Sequence, residues 1–343
     1  VSVVLVDWLG RGGIAQTSES WAIELRAAGI DTIVVTRPNR ELGSGMVKVA
    51  PAPARRSRLL AHRAVADEAA RRIRARRPDV VVVQNYVAPV LERPVFEAAR
   101  AVGARVVIVV HDHRLHTMRA GTRAGLRHEL RRADVVVAHT CHVAEGVRSY
   151  SARNDVRVVP HPVQVGMLRH AREPLDAFDN HRLVAGTFGV LKRAYKGSSI
   201  VEALAEQRVD PWTFLAAGTG APEQAPGITS LPGYAAPGRL TAAVAATDAT
   251  LAPYTHATQS GVIVLAHVLG SVPVASAVGG IPEQIDDGVD GVLVAPGAPV
   301  DAWRDALAGL ADDEHRKTMA GAGEARAWRD HEAFVHAIRE LTT

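Results

Sequence analysis

Residues 253–294 read PYTHATQSGVIVLAHVLGSVPVASAVGGIPEQIDDGVDGVLV, and they set one pattern twice. Small polar residues, Thr258-Gln259-Ser260, open an apolar helix-forming run. A β-branched strand follows at 272–275, then the glycine loop Val278-Gly279-Gly280-Ile281-Pro282-Glu283, with Pro282 placed for a helical first turn. Another short strand closes the segment at 291–294. Both loops follow buried strands, so free N–H groups and small polar side chains gather at the mouth of a sheet.

The same alternation extends in both directions. Upstream in the second half, strands are expected at 183–187, 212–216 and 249–252, with helices between them. In the first half they are expected at 3–6, 31–36, 80–83, 106–110, 134–138 and 156–159. Helical stretches fall near 15–28, 58–76, 90–102 and 119–132. Uninterrupted Val/Ile strands spaced by helices indicate a parallel sheet covered on both faces. Pro160-His161-Pro162 interrupts the series, and the aperiodic stretch to His181 reads as a linker. From 302 to 341 the chain is nearly all helical. The expectation is therefore α/β, with two doubly wound Rossmann-like domains facing a cleft.

Composition agrees with two domains and excludes several classes. A chain of 343 residues with 47% hydrophobic content can bury two cores. The single cysteine, Cys141, excludes an intramolecular disulfide and a cysteine-rich metal site, which points to a reducing, cytoplasmic setting. No apolar run is long enough to cross a membrane, and Val1–Val6 reads as a buried strand rather than a leader, because Asp7 ends it. Residues 1–173 carry 28 Lys and Arg against 16 Asp and Glu, whereas residues 174–343 carry 12 against 20. A basic first half and an acidic second half suit different partners.

Several loops carry candidate chemistry. Leu9-Gly10-Arg11-Gly12-Gly13-Ile14 joins a strand to a helix, and Gly12 and Gly13 let backbone amides approach an anion. Ala15 stands where a dinucleotide fingerprint needs glycine, which disfavours a nicotinamide oxidoreductase. His111 follows the strand 105–110 and points into the ligand crevice. With His113 and His116 it suggests zinc, but an extended segment fixes no ligand geometry, so no metal is assigned. Beyond the strand ending at Phe188-Gly189, Lys192, Arg193 and Lys196 precede Gly197 and a helix at Ser198, a suitable diphosphate site. Gly218 and Tyr234 complete the donor-side candidates with Thr258, Gln259, Ser260, Gly261, Val262 and Glu283.

In this order and spacing the motifs resemble the family-4 retaining glycosyltransferases, over nearly the whole chain. The resemblance rests on Gly12-Gly13, the post-strand His111, Lys196-Gly197, and Pro273-Val274 through Gly279-Gly280-Ile281-Pro282-Glu283 to Asp287-Gly288 and Gly291–Val294. The family usually has two glutamates separated by seven residues. Thr258 and Ala266 occupy those positions here, so the sugar and ribose contacts of those carboxylates are not carried over. The segment is similar instead to a branch that reads A-T-Q-S-G-V, with Tyr195 before Lys196-Gly197.

The resemblance implies a GT-B fold: an acceptor domain at 1–173, a donor domain at 174–325, and a final helix, 326–343, returning to the first domain. It implies metal-independent transfer of a hexose, with retention, from a nucleoside diphosphate (UDP or GDP) to an acceptor hydroxyl. Lys196, with Arg193 or Lys192, and amides near Gly12, Gly13 and Ser260–Val262 would stabilise the leaving group, while His111 lines the transferred sugar. No cofactor is expected. The alternative is a nucleotide-sugar-binding protein that has lost catalysis with the glutamate pair. Arg119, Arg123, Arg127 and Arg131 recur on one helical stripe, and Arg55, Arg56 and Arg58 add charge. They suit either an anionic or lipid-linked acceptor with peripheral contact at the inner membrane face, or equally a solvated helix surface. The lack of interleaved aromatics argues against nucleic acid.

Overall fold

The computed structural model describes residues 1–38, 46–48, 58–84, 88–113, 120–170 and 182–342. The chain divides into two compact units, Val1–Gly166 with the segment from His331 onward, and Met167–Asp330.

The first unit runs β1 (Ser2–Asp7), α1 (Gly12–Ala27), β2 (Asp31–Thr36), β3 (Met46–Lys48), α2 (Arg58–Arg76), β4 (Val80–Gln84), α3 (Pro89–Val102), β5 (Arg105–Val110), α4 (Ala120–Arg132), β6 (Val135–Ala138), α5 (Cys141–Ser151) and β7 (Val156–Val158), and the short α6 (Val165–Leu168) straddles the boundary with the second. Its parallel sheet has the order β3-β2-β1-β4-β5-β6-β7. Side chains alternate across a strand, so each strand feeds both faces. Val4, Val6, Val81, Val83 and Ile108 pack with Ile73, Phe96 and Leu130 on one face. Val3, Leu5, Val82, Val107 and Val109 pack on the other with Trp21 and Leu25 of α1. That second face is completed by Phe334, Ile338 and Leu341 from the far end of the chain.

The second unit comprises β8 (Leu183–Gly189), α7 (Ser198–Glu206), β9 (Trp212–Gly218), β10 (Ile228–Pro232), α8 (Pro237–Ala245), β11 (Ala249–Ala252), α9 (Gly261–Val268), β12 (Val272–Ser276), β13 (Val292–Val294), α10 (Val300–Gly309) and the start of α11 (Asp313–Thr342). Its parallel sheet has the order β10-β9-β8-β11-β12-β13. Both sheets thus reverse direction beside their first strand, the doubly wound arrangement.

The unit boundaries differ from the expected ones. Met167 is buried with Val184, Phe188 and Leu215, so the second unit begins there; position 174 lies outside the described residues. At the other end, Arg326 pairs with Asp290 and donates to the Glu283 carbonyl, which keeps α11 with the second unit through Asp330. The edge strands β3 and β10 and the helix α5 had no sequence signal strong enough to stand out. Thr140 caps α5 by accepting from the Val143 amide at 3.2 Å.

Candidate functional site

In the second sheet the order reverses between β8 and β11, which pair only through Ala249 with Ala185 and Thr250 with Gly186. Pairing stops at Gly186, and the loops that follow the two strands meet at the carboxyl end of the sheet, where the strand order switches. The loop after β8 turns back over this point. Gly197 has φ +65° and lies so close to the Pro253 carbonyl that a Cβ would stand 1.9 Å from its oxygen, so only glycine fits. The Thr255 amide donates to the Tyr195 carbonyl at 2.9 Å and ties the same two loops together.

This closure sets the half-buried Lys196. Its Nζ lies 4.0 Å from the centroid of the buried Tyr254 ring and 5.7 Å from that of Tyr195. It also sits 3.9 Å from where a Gly189 Cβ would be. Among the described residues no carboxylate pairs with it. An ammonium held on aromatic faces keeps its charge for an incoming anion. Two helices begin in these loops, α7 and α9, and neither has a side chain capping its first amides. Their positive ends reinforce the field.

The other donor-side candidates divide. Lys192 and Arg193 are exposed on the same loop, and Thr258 and Gln259 are half-buried ahead of α9. Gly261 and Val262 form the first turn of α9. Tyr234 stands 53% exposed between β10 and α8. Gly218 serves packing, because a Cβ there would lie 1.9 Å from the Gly189 carbonyl oxygen. Glu283 is exposed, and Arg326 Nη2 holds its carbonyl at 2.6 Å. One expectation is corrected. The Ser260 amide is not a free donor, since it already donates to Gln284 Oε1 at 2.7 Å. Tyr254 and Gln284 carry no motif, and only the tertiary structure reveals them.

At the carboxyl edge of the first sheet, Asp7 is fully buried and accepts from the Leu9 and Gly10 amides, each at 3.0 Å, and from Thr36 Oγ1 at 2.9 Å. Burial raises its pKa, and these donors oppose that shift. Asp7 therefore shapes the loop into α1. A Cβ on Gly13 would meet nothing within 4 Å, so the chain's own packing does not demand glycine there. The first turn of α1 lacks a side-chain cap, which leaves its amides open to an anion.

His111 follows β5 and is buried beside Gln84 at the end of β4, with Nε2 2.7 Å from Gln84 Oε1. Its ring centroid lies 5.1 Å from that of His139, which lies 5.2 Å from that of His161. Burial holds all three imidazoles neutral. His111 falls well below its ordinary value, His139 drops to about 4 and His161 to about 3, with mutual repulsion adding to the shifts of His111 and His161. The unfolded chain therefore takes up protons first. The stability these groups provide is complete above the unfolded value of 6.5 and is lost as pH falls toward 4 and 3. The unfolding free energy should decline below pH 6.5 with a slope approaching roughly 1.4 kcal/mol per pH unit for each histidine. His139→Gln should flatten that slope; an unchanged slope would show that other groups set it.

Among the described residues, no three His, Cys, Asp or Glu side chains are grouped to hold a metal ion. His116 lies outside the described residues. The arginine stripe is partly committed to packing: Arg127 and Arg131 donate to the Tyr150 and Ser151 carbonyls at 2.6 and 2.8 Å, satisfying the end of α5. Arg119 lies outside the described residues, as do Arg55 and Arg56. No described helix is long and apolar enough to cross a membrane.

Residues 11–166 match the family model for Glycosyltransferase Family 4, and residues 182–313 match the one for Glycosyl transferases group 1. Over 129 residues the chain is 38% identical to the D-inositol 3-phosphate glycosyltransferase of Mycobacterium avium. That alignment covers 34% of this chain and spans 30% of the relative's length. The structure resembles the sucrose-phosphate synthase of Thermosynechococcus elongatus with a TM-score of 0.78 at 15% identity, covering 99% of this chain and 98% of the other. It also resembles Anabaena HepE in complex with UDP and glucose, with a TM-score of 0.74 at 16% identity over 99% and 97% of the two chains.

Proposed function

We propose, from the premise that the chain is a glycosyltransferase of the group 1 and family 4 type with the two Rossmann-like units of the GT-B fold, that it transfers a hexose from a nucleoside-diphosphate sugar to an acceptor hydroxyl with retention at the anomeric carbon. The observation that carries this reading is the Lys196 ammonium. It sits over Tyr254 at the switch point of the second sheet, with no carboxylate partner among the described residues and two uncapped helices beginning alongside. A diphosphate is the anion such a place fits.

In the proposed reaction the bond from the anomeric carbon to the phosphate oxygen breaks, and its electron pair leaves with the diphosphate. The acceptor oxygen bonds to that carbon on the same face, and its proton passes to the departing phosphate oxygen. The transition state has oxocarbenium character, so negative charge grows on the leaving group. Lys196 and the Gly261, Val262 and Ile263 amides stabilise that charge, with Lys192 and Arg193 adding to the field. By the family resemblance, His111 of the first unit, bonded to Gln84, is proposed as a sugar contact.

A UDP or GDP sugar is the proposed donor; the UDP held by the HepE neighbour supports the choice. The acceptor is proposed to bear phosphate, free or as a lipid-linked carrier at the inner membrane face. The basic first half of the sequence and the inositol phosphate in the relatives' name support this. One observation favours a binding protein without turnover: Ala266 is fully buried among Leu265, Ala243 and Leu215, with no carboxylate in its place.

Radiolabelled UDP- and GDP-hexoses decide between the two. Transfer or slow hydrolysis is expected, and it should persist in excess EDTA because Lys196 supplies the positive charge. Binding without any turnover would establish the binding protein. Loss in EDTA restored by Mn²⁺ or Mg²⁺ would overturn the metal-free account.

A further inference from the structure

An ordinary N-cap side chain consumes one of the amides at a helix start. The start of α9 is held differently. Ser260, its N-cap residue, makes no side-chain bond to the helix, and its Oγ lies instead 3.5 Å from Tyr254 Oη. What fixes Ser260 is the buried side-chain amide of Gln284, which comes from the loop after β12. Gln284 Oε1 accepts from the Ser260 amide at 2.7 Å, and Gln284 Nε2 donates to the Ser260 carbonyl at 3.2 Å. This pair of bonds fixes the backbone of the cap while consuming none of the Gly261, Val262 or Ile263 amides. Gln284 is itself anchored. Arg326 holds the neighbouring Glu283 carbonyl, Asp290 pairs with Arg326 at 3.0 Å, and Asp290 also accepts from the Asp286 amide at 2.7 Å.

We propose that Gln284 is a positioning residue that aims the amino end of α9 at the donor diphosphate. The inference rests on the proposed function and names how that site keeps its amides unoccupied and fixed. The carboxamide supplies an acceptor for the Ser260 amide and a donor for its carbonyl from one side chain. Glutamate at 284 would keep the acceptor, lose the donor and bring a negative charge beside the expected phosphates. Methionine would keep the shape and remove both bonds.

The test compares the wild type with Gln284→Glu and Gln284→Met, using UDP, GDP, uridine and guanosine as calorimetric probes, alongside kcat, KM and Tm. Both variants should bind the diphosphates about 10-fold more weakly while nucleoside affinity is unchanged, and kcat should fall by roughly 10- to 100-fold. Two results would overturn the proposal: wild-type diphosphate affinity and kcat in a variant, or an equal loss of nucleoside and diphosphate affinity accompanying a lowered Tm. Gln284→Glu retains one of the two bonds and keeps the comparison open should the methionine variant fold poorly. A wild type that binds neither UDP nor GDP would instead remove the donor-site reading itself, and the proposal with it.

Discussion

Lys196→Ala is expected to lower kcat/KM for the nucleotide sugar by about 100- to 1,000-fold, the usual effect of removing one group that faces developing charge. The loss should be shared between kcat and nucleoside diphosphate affinity, because the ammonium meets charge in the ground state that grows in the transition state. Stability should fall only by the value of the contact it loses. No carboxylate partner among the described residues is left behind, and the cation–π contact with Tyr254 is worth about 0.5–2 kcal/mol. Lys196→Arg should recover activity only in part, since a planar guanidinium does not present the compact charge that the ammonium places 4.0 Å from the Tyr254 ring centroid. Tyr254→Leu should imitate the alanine variant more weakly by freeing the lysine. Steady-state kinetics and UDP or GDP calorimetry measure all three. Unaltered kcat/KM in Lys196→Ala would place the diphosphate elsewhere.

The fold, and the loops that carry the candidate residues, were legible in the sequence because their signals are local. Buried Val and Ile runs define strands, and a cation one residue before a glycine at a helix start picks out the loop proposed to hold the diphosphate. What stayed hidden depends on residues far apart in sequence. Tyr254 looks like one more residue after a strand until the loop after β8 carries Lys196 onto its ring. Gln284 follows the recognisable Gly-Gly-Ile-Pro-Glu run, yet its partner Ser260 lies in another loop. The glycines are a further case: Gly218 and Gly13 look alike in sequence, but a Cβ on the first strikes a carbonyl and a Cβ on the second meets open space. The arginine stripe shows the reverse hazard, for a surface periodicity proved in part to be backbone capping at Arg127 and Arg131.

The end of the chain makes the other large prediction. On its second face the first sheet presents Val3, Leu5, Val80, Val82, Val107 and Val109, and α1 contributes Trp21 and Leu25 to cover them. The remaining cover is Phe334, Ile338 and Leu341, all fully buried, with Phe334 set edge-on to Trp21 at 5.5 Å. His331 begins this segment with its Nε2 3.5 Å from Glu24 of α1. Phe334→Ala should therefore cost about 3–5 kcal/mol, a large share of the roughly 5–15 kcal/mol that holds a domain together. Ending the chain after Asp330 removes all three side chains and should leave the first unit unable to fold. A single melting temperature would blur the result, because two units need not unfold as one. Hydrogen exchange resolves them: in Phe334→Ala the β1, β4 and β5 amides should lose protection, while those of β11 and β12 keep theirs. Equal loss in both sheets would mean that the units unfold together, and full protection throughout would mean that the last helix covers the first sheet without stabilising it.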